Sequence, residues 1–296
     1  MHLIDAKDLN KTQIETLFEL AENYKAQPWQ TEVLKHKIVS LLFFENSTRT
    51  RCSFEIAAKR LGAAVLNLDL AASSMQKDES LLDTIQTLEA MDVDAFVVRH
   101  KEEDTCRYIV DNLKTKASVL NAGSGTQTHP SQALLDAFTI YERKPDFENL
   151  SIAIVGDIRH SRVAHSNIHF LKVLGVKDLR LVGPEIFLPK QDLDCKTYTD
   201  FGSGIKDADV VMVLRIQKER MADTDVPDAG SYFKNYGLTP EKLKLAKPDA
   251  IVMHPGPMNR GVEISTKVAD GSQSIILQQV QNGVFMRQAL LDWLVK

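Results

Sequence analysis

Short apolar runs rich in β-branched residues recur along the whole chain and alternate with segments of helical periodicity. Four runs lie in the first half of the chain and four in the second, at 38–44, 64–68, 95–98, 118–120, 151–155, 179–182, 210–214 and 251–253. Near-continuous apolar strands that alternate with amphipathic helices are typical of parallel sheets covered by helices on both faces. The pattern predicts an α/β fold with two doubly wound domains, each with a central, mainly parallel sheet.

Polar residues and glycines mark the ends of several predicted helices. Asn10 and Gln13 are spaced as a capping box ahead of an apolar helical face. Gly62 and Gly175 each follow an amphipathic segment and predict a helix stop. A polar stretch with one proline at 144–149 separates the two halves and predicts a domain boundary. We therefore expect one domain at 1–143 and a second that begins at 144.

Composition narrows the classes of function. The 296 residues carry a net charge of −4, which gives no overall basic character for nucleic acid, so an anion site must be built locally. Cys52, Cys106 and Cys195 lie far apart without a CxxC pair, which favours a reducing compartment. No signal-peptide pattern begins the chain, and no apolar run approaches the roughly 20 residues that cross a bilayer. We expect a cytoplasmic protein that binds neither nucleic acid nor membrane.

The residues that follow each apolar run are informative, because open parallel sheets bind ligands beyond the carboxyl ends of their strands. Ser47, Thr48, Arg49 and Thr50 follow the first run and lead into a predicted helix. Hydroxyl groups, a guanidinium and the amides of a helix start suit a phosphate group. A polar helix cap with solvated arginines would give the same pattern, so this turn alone does not decide.

Basic, imidazole and amide side chains follow the other runs as well. In the first half these residues are Arg99, His100, His129 and Gln132. In the second half they are Arg162, Arg215, Gln217, His254 and the backbone at Gly256 and Pro257. Since the carboxyl ends of parallel strands share one edge of a sheet, we expect these groups to converge around two anionic small molecules.

Several nucleotide and metal motifs are missing from the sequence. It has no GxxxxGK[ST] pattern, which argues against a P-loop NTPase. Val155-Gly156-Asp157 begins like a dinucleotide-binding turn but lacks the following glycines. His165 and His169 are spaced like zinc ligands, yet no glutamate follows His165 and no third ligand is evident. We expect neither a cofactor nor a metal ion.

The order of these motifs along the chain is itself distinctive. They are Phe43-Phe44-Glu45-Asn46-Ser47-Thr48-Arg49-Thr50-Arg51, Arg99-His100, His129-Pro130-Ser131-Gln132, Arg162, Arg215-Ile216-Gln217 and His254-Pro255-Gly256-Pro257. Over essentially its whole length the chain resembles the aspartate/ornithine carbamoyltransferase family. Ornithine enzymes of this family carry a cysteine in the late motif and an acidic loop for a cationic acceptor. Here the late motif has no cysteine and the loop begins at Arg215, which suits an acceptor with two carboxylates.

The resemblance implies transfer of the carbamoyl group of carbamoyl phosphate to the amino group of L-aspartate, a step of pyrimidine biosynthesis, with ornithine as the alternative acceptor. It implies a carbamoyl phosphate-binding domain at 1–143, an aspartate-binding domain at 144–281, and a C-terminal helix at 282–296 that packs back on the first domain. Carbamoyl phosphate would be held by Ser47, Thr48, Arg49, Thr50, Arg99, His129, Gln132, Gly256 and Pro257. Aspartate would be held by Lys77, Arg162, Arg215 and Gln217. Catalysis would rest on Arg49, Thr50, Arg99 and His129.

Ser73 and Lys77 match a loop that, in this family, enters the active site of a neighbouring subunit. The resemblance therefore implies a homotrimer with shared sites, and it leaves open an association with regulatory chains or a dihydroorotase. Two residues depart from the family pattern. Asp78 follows the loop lysine where glycine is usual, and we expect it to restrict loop closure or weaken anion binding. Gly256 replaces an alanine or leucine, and we expect a more flexible late loop.

Overall fold

The computed structural model describes residues 1–29, 32–68, 79–221 and 227–295, which fall into two α/β units. Unit 1 comprises Met1–Phe138 and Gln281–Lys296, and unit 2 comprises Thr139–Val280. The sequence placed the corresponding divisions at 143/144 and 281/282. The predicted doubly wound architecture with two parallel sheets is confirmed.

Unit 1 is built on five parallel strands. These strands are β1 (His2–Leu3), β2 (Ile38–Phe43), β3 (Ala64–Asn67), β4 (Ala95–His100) and β5 (Ser118–Ser124). Their order in the sheet is β1-β5-β4-β2-β3. The helices of this part of the chain are α1 (Lys11–Ala26), α2 (Thr48–Arg60), α3 (Leu81–Ala90), α4 (Thr105–Asn112) and α5 (Pro130–Tyr141). The motifs that follow β2, β4 and β5 in the sequence are thus carried by three neighbouring strands.

Unit 2 repeats the arrangement with five further parallel strands. They are β6 (Ser151–Val155), β7 (Asp178–Val182), β8 (Lys196–Tyr198), β9 (Val210–Val213) and β10 (Ile251–Met253), in the order β10-β9-β6-β7-β8. The helices are α6 (Arg162–Val173), α7 (Phe201–Ile205), α8 (Ala229–Tyr236), α9 (Pro240–Leu243) and α10 (Thr266–Ala269), and α11 (Ile276–Val295) begins in unit 2 and continues in unit 1. Short 3-10 turns lie at Ala6–Asp8, Phe147–Asn149, Glu185–Phe187 and Lys218–Arg220.

Each sheet has its own apolar core. In unit 1, Leu42, Phe96 and Val119 from adjacent strands have no exposed surface and share one cluster with helix residues. In unit 2, Val211 and Val252 likewise come from adjacent strands, have no exposed surface and belong to a second cluster. Burial of each such side chain stabilises the fold by roughly 1.5–3 kcal/mol. The cores hold the central strands, and the strands in turn fix where their carboxyl ends emerge.

The helix-end signals of the sequence are confirmed. The Asn10 side chain accepts a hydrogen bond from the backbone N–H of Gln13 at 3.0 Å, and the Gln13 side chain accepts one from Asn10 at 2.9 Å. Gly62 and Gly175 follow α2 and α6 with φ angles of +85° and +102°. Only glycine adopts this left-handed backbone without strain, which explains both helix stops.

The C-terminal part of α11 belongs to unit 1. The hydroxyl of Tyr24 in α1 donates to the Asp292 carboxylate at 2.7 Å. The hydroxyl of Ser118 in β5 donates to the carbonyl of Leu294 at 2.7 Å. The helix begins at Ile276, earlier than the segment 282–296 that the sequence assigned to it.

All eight apolar runs form strands, and each described sheet has a fifth strand that no apolar run marked. The missed strands are β1 and β8, which lie at sheet edges and have two and three residues. Residues in β8 are exposed or half-buried, so no continuous apolar run marks them. Strands of this length are specified by their pairing partners and not by their own periodicity.

Candidate active site

The turn between β2 and α2 carries the first set of predicted ligand residues. Ser47 occupies the N-cap position, but its side chain makes no capping hydrogen bond. Thr48 and Arg49 are exposed in the first helical turn, and Thr50 is buried. The alternative interpretation as a polar helix cap therefore lacks its defining contact. A basic side chain beside the positive end of a helix dipole is suited to an anion.

Arg99 stands at the end of β4 and is held by both neighbouring strands. Its Nη1 donates to the carbonyl of Ala122 in β5 at 3.2 Å. Its Nε lies 3.3 Å from the carboxylate of Glu45, just after β2. The Arg99 side chain is only 15% exposed, and its two contacts hold it from both sides. One guanidinium thus lies at the carboxyl ends of three adjacent strands.

His100 has a different role from Arg99, although it is the next residue. Its Nδ1 accepts a hydrogen bond from the backbone N–H of Glu102 at 3.0 Å and lies 2.8 Å from the hydroxyl of Thr105. Its ring packs edge-on against Phe44 with centroids 4.9 Å apart. Burial lowers the pKa of His100, which favours the neutral ring. The residue organises the turn between β4 and α4.

His129 ends the loop between β5 and α5, and Gln132 lies in the first turn of α5. Both residues are buried, at 3% and 8% exposure. Before the loop, the Asn121 side chain accepts the backbone N–H of Gly123 at 2.7 Å near the end of β5. The side-chain amide nitrogen of Gln132 donates to the buried carboxylate of Asp136 at 2.9 Å. Unit 1 therefore brings the predicted groups of β2, β4 and β5 to the same edge of its sheet.

In unit 2 the strand ends are organised by a carboxylate that the sequence did not single out. Asp157, directly after Gly156 at the end of β6, has no exposed surface. It accepts from the backbone of His160 at 3.2 Å, lies 2.8 Å from that imidazole, and accepts from the backbone of Gln217 at 3.1 Å. A side chain at Gly156 would come within 2.5 Å of the Leu214 carbonyl, which explains the glycine. An acidic residue after a strand-ending glycine was the available signal.

The residues predicted to bind the carboxylates of the acceptor follow β6 and β9. Arg162 is the first residue of α6 and is 4% exposed, and Ser161 caps that helix with its side chain. Arg215 is half-buried, and its Nη1 donates to the carbonyl of Ile216 at 3.2 Å. The amide nitrogen of Gln217 donates to the carbonyl of Arg215 at 3.4 Å. The carboxyl edge of β6 and β9 thus carries two arginines and one amide.

The late motif after β10 is a braced loop. The backbone N–H of Gly256 donates to Nδ1 of the buried His254 at 2.8 Å, so the ring proton lies on Nε2. That nitrogen lies 3.1 Å from the buried carboxylate of Glu263, which also accepts the backbone N–H of Asn259. Gly256 has a φ of +70°, a conformation that favours glycine. His254 therefore shapes the loop that carries Gly256 and Pro257.

Three residues of interest, Ser73, Lys77 and Asp78, lie outside the described residues. Within the described parts of the chain, no group of three or more His, Cys, Asp or Glu side chains could hold a metal ion. None of the described helices combines the length and the apolar character needed to cross a membrane.

Comparison with known proteins gives the same result for both units. Residues 1–142 match the family described as aspartate/ornithine carbamoyltransferase, carbamoyl-P binding domain, and residues 148–294 match the Asp/Orn binding domain of that family. The chain is 52% identical to the aspartate carbamoyltransferase catalytic subunit of Ruthia magnifica subsp. Calyptogena magnifica, over 100% of this chain and 89% of the relative. It is 49% identical to the subunit of the same name from Vesicomyosocius okutanii subsp. Calyptogena okutanii, over 99% and 92%.

Solved structures agree with the sequence comparison. Aspartate transcarbamoylase from Trypanosoma cruzi, in complex with carbamoyl phosphate and aspartate, superposes with a TM-score of 0.89 at 30% identity, over 100% of this chain and 97% of that chain. The fold, the order of the motifs and the match of both domain models lead to one assignment. This chain belongs to the aspartate/ornithine carbamoyltransferase family.

Proposed function

We propose that this chain transfers the carbamoyl group of carbamoyl phosphate to the amino group of L-aspartate, giving N-carbamoyl-L-aspartate and phosphate. The observation that carries the proposal is Arg99, which is anchored between Glu45 and the Ala122 carbonyl at three adjacent strand ends. The choice of aspartate is supported by the names of relatives about half identical to the chain. Arg162 and Arg215 also suit an acceptor with two carboxylates.

Carbamoyl phosphate would bind mainly to unit 1. Ser47, Thr48 and Arg49 would hold its phosphate, because hydroxyls and a guanidinium at a helix start complement that charge. The carbamoyl oxygen would be contacted by Thr50, Arg99 and His129. The carbamoyl amine would be contacted by Gln132 and by the backbone of Gly256 and Pro257.

Catalysis in this proposal needs no protein nucleophile. The amine of aspartate attacks the carbamoyl carbon, negative charge develops on the carbonyl oxygen, and the bond to phosphate then breaks. Arg99, Thr50 and His129 would stabilise the oxyanion, an interaction worth about 3 kcal/mol for each donor. Arg49 would bind the departing phosphate, which can accept the proton that the amine loses. Positioning and charge stabilisation supply the acceleration.

Aspartate would bind to unit 2 and to the loop lysine. Arg162, Arg215 and Gln217 would contact its carboxylates, together with Lys77. Asp157 supports this assignment, because its carboxylate holds the backbone of Gln217 at 3.1 Å and so defines where the segment after β9 lies. The proposed acceptor site in unit 2 therefore has a backbone that Asp157 holds in place beside its cationic groups.

The acceptor is tested by incubating the purified chain with carbamoyl phosphate and either L-aspartate or L-ornithine. We expect N-carbamoyl-L-aspartate and phosphate in equal amounts with aspartate, and only background phosphate release with ornithine. Carbamoylation of ornithine in place of aspartate would overturn the proposal.

The phosphate site is tested with two neighbouring arginines of α2. Arg49→Ala should lower kcat/KM for carbamoyl phosphate about 10²–10³-fold, because a charged contact to the reacting phosphate is lost. Arg51→Ala is the matched control, since Arg51 is equally exposed on the same helix but is assigned no substrate contact. We expect the control to stay within about threefold of wild type. Near-normal turnover of Arg49→Ala would refute the phosphate site.

The division of substrates between units is tested at the end of β9. Arg215→Ala should raise the KM for aspartate by at least about tenfold and leave the KM for carbamoyl phosphate almost unchanged. Lys218→Ala, an exposed cation three positions further, is the control and should change neither KM. If Arg215→Ala weakened only carbamoyl phosphate, the proposed roles of the units would be reversed.

We also propose a cytoplasmic homotrimer in which Ser73 and Lys77 of one subunit complete the site of the next, acting in pyrimidine biosynthesis. The support is the match of these two residues to the family loop. Arg49→Ala and Lys77→Ala would each be nearly inactive alone. Refolding the two variants together should restore up to about a quarter of wild-type activity, because random assembly creates intact shared sites at that frequency. A monomeric mass in solution, or mixtures without any recovery, would contradict shared sites.

A further inference from the structure

The side-chain amide of Gln132 has a defined orientation, which the sequence could not show. Its amide nitrogen donates to the Oδ1 of Asp136 at 2.9 Å, four residues further along α5. Asp136 has no exposed surface, and an ionised carboxylate only accepts hydrogen bonds. The amide must therefore turn its NH₂ group towards Asp136. Its carbonyl oxygen is then the group that remains to face a ligand.

The charge of Asp136 has a buried counterpart on α11. Arg287 is 3% exposed, and burial lowers the pKa of its guanidinium to about 10, while attraction by Asp136 opposes that shift. The guanidinium stays protonated at neutral pH, and the same attraction stabilises the ionised carboxylate. Its Nη1 donates to the Gly283 carbonyl at 3.0 Å, and its centre lies 4.9 Å from the ring of Phe54 in α2.

Gly283 shows that the position of Arg287 depends on close packing. A Cβ atom at Gly283 would come 2.6 Å from the Nη1 of Arg287 and 3.3 Å from Leu135 in α5. Both distances are too short for ordinary van der Waals contact. The absence of a side chain at this position leaves room for the guanidinium between α11 and its neighbours.

We infer that Asp136 is a positioning residue for carbamoyl recognition, because it holds the Gln132 amide so that the carbonyl oxygen of Gln132 faces the carbamoyl amine. The inference rests on the proposed function, in which Gln132 contacts that amine. A carbonyl oxygen accepts from the NH₂ group of carbamoyl phosphate but gains nothing from the methyl group of acetyl phosphate. The network therefore sets the preference between two acyl phosphates of nearly equal size.

The test measures dissociation constants of carbamoyl phosphate, acetyl phosphate and inorganic phosphate for the wild-type chain and its variants. Gln132→Ala and Asp136→Leu should each lower the preference for carbamoyl over acetyl phosphate about threefold to tenfold. Binding of inorganic phosphate, which has no carbamoyl group, should not change. A purely structural defect would weaken all three ligands together, so the ratio separates positioning from stability.

Two further variants complete the design. Asp136→Leu leaves Arg287 buried without its counterpart, so the double variant Asp136→Leu/Arg287→Met removes both charges and preserves the packed volume. We expect the double variant to fold and to show the same lowered ratio. Asp292→Asn is the matched control, because Asp292 is a buried carboxylate of α11 that accepts a hydrogen bond from Tyr24 in α1. It should lower the melting temperature and leave the ratio unchanged.

The outcomes distinguish this inference from the proposed function. A ratio that falls in Gln132→Ala but not in the folded Asp136 variants overturns the positioning role and leaves the proposed function intact. A ratio unchanged in all variants overturns the inference together with the role of Gln132. A wild-type chain that does not bind carbamoyl phosphate refutes the proposed function itself. A parallel fall in Gln132→Ala and both Asp136 variants supports the inference.

Discussion

The two units use carboxylates in different ways at their strand ends. In unit 1, Glu45 and Asp136 contact the side chains of residues that we propose to bind substrate, Arg99 and Gln132. In unit 2, Asp157 instead accepts backbone N–H groups from the loops after β6 and β9. Unit 1 thus orients individual side chains, whereas unit 2 fixes the course of the loops from which its side chains extend.

This difference fits the two proposed ligands. A small acyl phosphate with a reacting carbonyl requires donors at defined positions, because charge develops on one oxygen atom. Two carboxylates of an acceptor are recognised by arginines, provided that the backbone carrying these side chains is placed correctly. Loss of a carboxylate should therefore release one side chain in unit 1 and a whole loop in unit 2.

The largest effect is expected for Arg99→Ala, which removes the anchored guanidinium itself. We expect kcat to fall about 10²–10³-fold, because a donor to the developing oxyanion is lost. Steady-state kinetics at saturating aspartate would measure the fall, and circular dichroism would show an intact fold. A variant with nearly normal kcat would show that Arg99 of unit 1 does not act in the chemical step, and the proposed difference between the units would then fail.

A smaller effect is expected for Asp157→Asn, which keeps the shape of the side chain and removes its charge. The KM for aspartate should rise at least about tenfold, because hydrogen bonds to an ionised group contribute about 1.5–3 kcal/mol. The KM for carbamoyl phosphate should stay the same. Asp178→Asn is the control, since Asp178 pairs with Lys196 at the other end of the sheet and should affect stability alone. Equal changes in both KM values would show that Asp157 does not act through its loops.

The smallest effect is expected for Glu45→Gln. Arg99 keeps its bond to the Ala122 carbonyl, and a partly exposed ion pair contributes about 1 kcal/mol or less. We expect kcat to fall no more than about threefold, and the control Glu55→Gln on α2 to change nothing. If Glu45→Gln impaired catalysis as much as Asp157→Asn impairs aspartate binding, the proposed contrast between the units would fail.

Much of the fold could be predicted from the sequence because its signals are local. The apolar run at 38–44 became β2 at Ile38–Phe43, and the Asn10–Gln13 capping box formed as expected. Edge strands gave no such signal. β1 has two residues and depends on pairing with β5, which the sequence around His2 does not indicate.

The candidate site was predictable in part for the same reason. Arg49 and Arg99 follow apolar runs, so the rule that ligands bind at the carboxyl ends of strands identified them. The sequence did not identify the carboxylates that hold the groups after the strands in place. Asp157 was noted only as part of a turn, and Asp136 and Glu263 carried no motif.

By itself, the sequence determined the alternation of strands and helices and the order in which basic and amide residues follow the strands. These features depend on periodicity and on neighbours a few residues apart. Only the tertiary structure decided which charged partner each group has. Glu45 is the partner of Arg99, Asp157 of the Gln217 segment, and Arg287 of Asp136. Such partners are brought together by the packing of parallel strands and helices, which no local pattern encodes.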